Sequence, residues 1–205
     1  MTWTYFGQHV FIVLCSVALA IAVGLPLGII CYFYPKAKKP IIWLTDVLQT
    51  IPALALLGVL MVFFGAGKTT VIVGIALYSL LPIVSNTFLG LNQVAPGIIE
   101  AALGMGMGKM YRLWHVELPL AFPVIFTGMR IAAVNAVGSA VFAAFVGGGG
   151  IGNVINDAIR IRNMGTLFQG TIVLMLIAVV LDLGMTAIEK QIAKRNGTLS
   201  PAAGK

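Results

Sequence analysis

The chain has 205 residues, of which 60% are hydrophobic and only 9% charged, with a formal net charge of +7. A soluble domain carries about 25% charged residues and needs polar side chains over its outside, so this composition excludes one. The positive charge does not point to nucleic acid, because the basic residues sit in short gaps between apolar runs and not on one face.

The first predicted span covers about residues 8–34 and closes at Pro35 and the basic cluster Lys36, Lys38 and Lys39. No side chain from Met1 to Pro35 is charged, and about 20 apolar residues suffice to cross roughly 30 Å of hydrocarbon. The run lacks the basic start of a cleavable signal and exceeds the roughly 7–15 apolar residues such signals carry, so it is expected to remain as a helix. Cys15 and Cys31 lie about 24 Å apart on it, too far to bond to each other within one chain.

A second span is predicted over about 41–64, with Asp46 near its start and a kink at Pro52; a third over about 69–91 contains Pro82. Proline is tolerated in a span where neighbouring groups satisfy the freed carbonyls. Residues 92–117 form a polar, glycine-rich connection, and a fourth span comes next at about 118–146 with Arg130 inside it. The run Gly147-Gly148-Gly149-Gly150, together with the segment up to Gly165, reads as a second extramembrane loop; the fifth span covers about 167–188 and a basic tail ends the chain. The expectation is one all-α transmembrane domain over 1–205, with about five helices.

Orientation can be read from Lys and Arg in the loops. Lys36, Lys38, Lys39, Lys109, Arg112, Lys190, Lys194, Arg195 and Lys205 fall on one side; Lys68, Arg160 and Arg162 fall on the other. The richer side is cytoplasmic, which puts the N-terminus outside and the C-terminus inside.

The 92–117 connection carries the most specific pattern. It reads Glu100-Ala101-Ala102, three residues, Gly106, nine residues, then Val116-Glu117-Leu118-Pro119. This resembles the EAA loop of type I ATP-binding-cassette (ABC) importer permeases, with Val116 where the pattern has isoleucine. The resemblance implies a short cytoplasmic helix that docks in a groove of separate ATPase subunits, which bind the ATP and Mg; this chain would bind no cofactor and be no enzyme. Glu100, Ala101, Ala102, Gly106, Leu118 and Pro119 are then the coupling residues. The small side chains allow close approach, Pro96-Gly97 turns the chain into the helix, and Glu100 near its start suits the dipole.

Gln49-Thr50-Ile51-Pro52, Pro82-Ile83-Val84-Ser85-Asn86-Thr87 and Gly147-Gly148-Gly149-Gly150-Ile151-Gly152 look like the osmoprotectant branch, whose solutes are glycine betaine, choline and carnitine. That implies a bacterial inner-membrane permease working with a second copy or paralogue and a separate extracytoplasmic binding protein. Relatives that move other amines or amino acids share much of this skeleton. A quaternary ammonium has no hydrogen to donate and is held by aromatic faces. Tyr78, Asn86, Asn135, Ser139 and Phe142 are the candidate path residues, with Phe88 and Phe145 as further aromatics.

Other polar groups within spans are Asp46, Gln49, Arg130 and Asp182. Arg130 reads as a structural pairing residue. An ion-coupled carrier is the alternative from another class, with Asp46 or Asp182 as its coupling carboxylate; a passive channel is a third. Gly67-Lys68-Thr69 mimics the end of a phosphate-binding loop, but the position needing its first glycine is Val62.

Overall fold

The computed structural model describes residues 3–195; the tail beyond, with Lys205, lies outside the described residues. Helix α1 (Trp3–Phe33) leads into α2 (Pro35–Thr50) and α3 (Ala53–Phe64). After α4 (Lys68–Tyr78) and α5 (Leu80–Asn92) come the short α6 (Pro96–Gly104) and α7 (Lys109–Arg112). A π turn (Leu113–Glu117) joins α7 to α8 (Leu118–Ser139), which tightens into a 3-10 segment (Ala140–Val146) before α9 (Ile151–Arg160) and α10 (Met164–Arg195). Among the described residues, four helical stretches are long and apolar enough to cross a membrane, and the bent pair α2–α3 makes a fifth if taken as one span.

The second span is not one kinked helix over 41–64. Its halves meet at 103°, because a residue before proline is driven out of the helical region. Ile51 lies at φ −70°, ψ 131° and Pro52 at φ −55°, ψ 131°, so two extended residues swing the chain between α2 and α3. The third span is interrupted at Ser79, where Pro82 in the next turn supplies no N–H.

The loops also differ from expectation. Residues 109–117 are helical and run unbroken into the fourth span, so that helix begins well before Leu118. The segment after the four glycines contains α9, packed on α1 and α10, and is not simply a loop. The first helix begins before the expected 8–34, at Trp3, and ends at Phe33, while the last extends past 167–188 at both ends.

Lipid is as apolar as leucine, so helices in a bilayer gather mainly through close packing of small residues. α5 is the centre of that packing, between α1 and α8. A Cβ at Gly24 or Gly28 of α1 would run into Ile83 or Thr87 of α5, and one at Gly128 of α8 would meet Asn86 and the Pro82 carbonyl. Two buried clusters mark the two ends. One joins the C-terminal parts of α1 and α5 to the 92–117 segment through Leu91, Val94, Leu113, Ala121, Tyr32 and Phe33. The other joins Ile12, Val13, Leu57, Val71 and Ile75 to Ala136–Val146. At that second end the ring Nε2 of His9 meets the Val137 carbonyl at 3.1 Å, and the Gly150 N–H donates to Gln8 Oε1.

Candidate functional site

Three helix interruptions converge on one cavity of about 450 Å³. Gln49 comes from the end of α2, just before the 103° break. Tyr78 and Ser79 flank the α4–α5 junction, and Asn135, Ser139 and Phe142 come from the passage of α8 into its 3-10 end. The Gln49 Nε2 donates to the Tyr78 carbonyl at 2.7 Å. No lining residue carries a formal charge. The walls offer aromatic rings, amides and hydroxyls, a set suited to a polar solute whose charge is diffuse or balanced.

Of the five path residues expected from sequence, Tyr78, Asn135, Ser139 and Phe142 line this cavity and Asn86 does not. The Asn86 amide instead donates to the Pro82 carbonyl at 2.8 Å and packs where Gly128 leaves room. Phe88 sits under the Lys38 ammonium, 4.0 Å from the ring centroid. Phe145 is exposed, beside Phe142 but outside the lining. Gln49, Ser79 and Pro82 also line the cavity, with Ala132, Val134 and Gly138. The signal for Gln49 was its amide within a span; Ser79 gave none.

The six residues expected to couple are not all on one exposed surface. Glu100 and Ala101 are exposed on α6, whereas Ala102 is buried. Pro96 opens α6 at the position where a missing N–H costs nothing. Glu100 stands in the middle of the helix, and its first turn holds no acid. Glu100 therefore lies too far along the helix to favour its dipole, and is simply exposed.

Gly106 has φ +78°. Its N–H bonds to the Leu103 carbonyl and that of Met107 to the Ala102 carbonyl, the paired pattern of a left-handed glycine stop. The positive φ alone requires glycine at 106. Leu118 and Pro119 open α8 and border a second, apolar cavity of about 470 Å³ shared with Leu25, Trp114, Phe122 and Ile192.

Between these two groups lies a buried pair that sequence reading passed over. Glu117 is fully buried and its carboxylate accepts from Arg112, with the Tyr32 phenol of α1 alongside. In an α-helix residues five apart would point about 140° away from each other. The π turn, with its longer hydrogen-bonded repeat, brings them together.

Arg130 makes the structural pairings expected of it. It lies 3.7 Å from Asp182 and 3.5 Å from Glu189 of α10, and donates to Thr186 at 2.7 Å. Asp46 is exposed. Lys68 starts α4 with its ammonium 5.9 Å from the Phe11 ring centroid, so the phosphate-loop look-alike is an ordinary helix start.

Residues 24–194 match the family described as binding-protein-dependent transport system inner membrane component. The chain is 41% identical over 190 residues to the glycine betaine/carnitine/choline transport system permease protein OpuCD of Bacillus subtilis (strain 168), covering 92% of this chain and 82% of that protein. It is 42% identical over 182 residues to the osmoprotectant import permease protein OsmY of Salmonella typhimurium, covering 87% and 77%. The choline transport system permease protein OpuBD of Bacillus subtilis (strain 168) is 40% identical over 198 residues, covering 94% and 87%. In fold the chain is similar to the MetNI methionine ABC transporter in an inward-facing conformation, with a TM-score of 0.82, 21% identity, and 90% and 93% of the two chains covered.

Proposed function

The chain belongs to the family of binding-protein-dependent transport system inner membrane components, as a multi-pass permease subunit of an ABC importer, and on that premise we propose how its cavity and its short helices divide the work. The cargo is an osmoprotectant of the kind named for the relatives: glycine betaine, choline or carnitine. Tyr78 and Phe142 offer aromatic faces to the quaternary ammonium. Gln49, Asn135 and Ser139 offer dipoles to the carboxylate or hydroxyl at its other end. Such an uncharged wall holds solute weakly, as a conduit must, and tight selection lies with a separate extracytoplasmic binding protein. The path runs between this chain and a second copy or paralogue.

The coupling role rests on the bare surface of α6 and its flanks. A Cβ at Gly97, Gly104 or Gly108 would have no neighbour within 4 Å, so packing within the chain gives no reason for three absent side chains. Around them Ile98, Leu103, Met105 and Met110 are exposed. An apolar helix stripped of bulk suits a groove on another protein, and exposed Glu100 is free to meet a basic residue there. The partner is the ATPase, which binds ATP and Mg in the cytosol. This end of the bundle is cytoplasmic, the N-terminus outside and the C-terminus inside, as the basic loops require.

Gly104→Leu tests the docking. The amount of permease in the membrane should stay unchanged, because the new side chain meets open space. Co-purification of the ATPase should be lost, and with it uptake of radiolabelled glycine betaine into proteoliposomes holding the full importer. Wild-type ATPase binding and uptake in this variant would sink the assignment. Uptake that survives ATP removal but collapses with the ion gradient would favour a carrier instead.

A further inference from the structure

We infer that Gln49 is a positioning residue of the cavity: its carboxamide stands in for the backbone N–H that Pro82 lacks, and so ties the break in the second span to the break in the third. In an α-helix the carbonyl of Tyr78 would accept from the N–H of residue 82. That residue is Pro82, which has none. Tyr78 ends α4, Ser79 forms the junction at φ −86°, ψ −4°, and Pro82 is the third residue of α5. The helical pattern therefore leaves this carbonyl needing a donor in a membrane-embedded wall, where an unpaired polar group is costly. Gln49 Nε2 supplies the donor at 2.7 Å.

Two other side-chain bonds run to the carbonyls of prolines themselves, which have lost no N–H partner, and both are local. Asn86 donates to the Pro82 carbonyl and Thr127 to the Pro123 carbonyl, each from within the same helix. Those bonds move with the helix wherever it goes. Gln49 reaches across from α2, one residue before that helix ends and two before Ile51. Gln49, Tyr78, Ser79 and Pro82 all border the cavity. The bond thus sets how far apart two of its walls stand, and holds the Tyr78 ring where solute would meet it. Its uptake arm rests on the solute path proposed above; the tie itself does not.

The test is a rescue. In a background with Cys15→Ala and Cys31→Ala, the thiol of Ser139→Cys reports access to the cavity through its rate of labelling by a small methanethiosulfonate reagent, with no solute present. Gln49→Leu should speed that labelling several-fold. In the importer with Ser139 intact, the same change should lower the maximal rate of glycine betaine uptake about tenfold, the weight of one carbonyl left without its partner, with little change in the half-saturating concentration, which the binding protein sets.

Adding Pro82→Ala returns an N–H to residue 82 and should reverse both effects. Failure of Pro82→Ala to restore the labelling rate would overturn the inference. So would wild-type labelling in Gln49→Glu, which keeps the size of the side chain but at neutral pH has no N–H to give. Labelling that keeps the expected order in every variant, with the uptake rate unmoved, would uphold the tie and remove the cavity from the solute path.

Discussion

Glu117 and Arg112 pair in a setting where neither has an easy substitute. The carboxylate is fully buried and the guanidinium nearly so, and the π turn that aligns them also joins the short helices to the fourth span. Removing one member of a buried pair strands the other charge, at about 3–5 kcal/mol. Replacing both with apolar groups of similar size is often neutral. Glu117→Leu should therefore lower the unfolding temperature of the detergent-solubilised permease markedly, while Arg112→Met with Glu117→Leu should recover most of it. Equal losses in the single and double variants would show that the pair is not what holds the turn. Neither residue stood out in the sequence: five apart, they read as two separate loop charges, and only the longer repeat of the turn makes them neighbours.

The short helix α6 is shaped by its two ends. Pro96 starts it and Gly106 stops it, and the stop depends on a left-handed residue. Side chains other than glycine lose roughly 1–2 kcal/mol in that conformation, asparagine less than most. Gly106→Ala should thus weaken ATPase co-purification and uptake more than Gly106→Asn does. Indistinguishable alanine and asparagine variants would mean that the backbone at this point is not what matters. The glycine was legible as part of a spaced pattern, but its reason was not. From sequence alone all the small residues of this segment looked alike; the structure separates Gly106, held to glycine by its own backbone, from Gly104, which has open space and room for a partner. The same division applies at proline. Pro52 announced a disturbance, yet the 103° swing comes from Ile51 and Pro52 both being extended.

Across the whole molecule, the 92–117 segment, the C-terminal part of α1 and the far part of α10 meet at one end, through Tyr32, Phe33, Leu113, Leu118 and Ile192. Gln8, His9, Lys68 and the glycines before α9 gather at the other. Sidedness can be read with cysteines introduced at Met105 and Arg160, both exposed. In intact cells an impermeant thiol reagent should label the Arg160→Cys variant and spare Met105→Cys; the reverse pattern would put α6 out of reach of any cytosolic ATPase.

The lengths of the apolar runs, the positions of their breaks and the spaced Glu100–Pro119 pattern were open to reading in one dimension, because a bilayer responds to local composition and proline acts on its own neighbours. The meeting of Gln49 with the Tyr78 carbonyl, the company of Asn135, Ser139 and Phe142, and the burial of Glu117 were decided by how helices cross. Those crossings depend on which small residues let two backbones approach, and contacts between residues far apart in the chain leave no periodic trace along it.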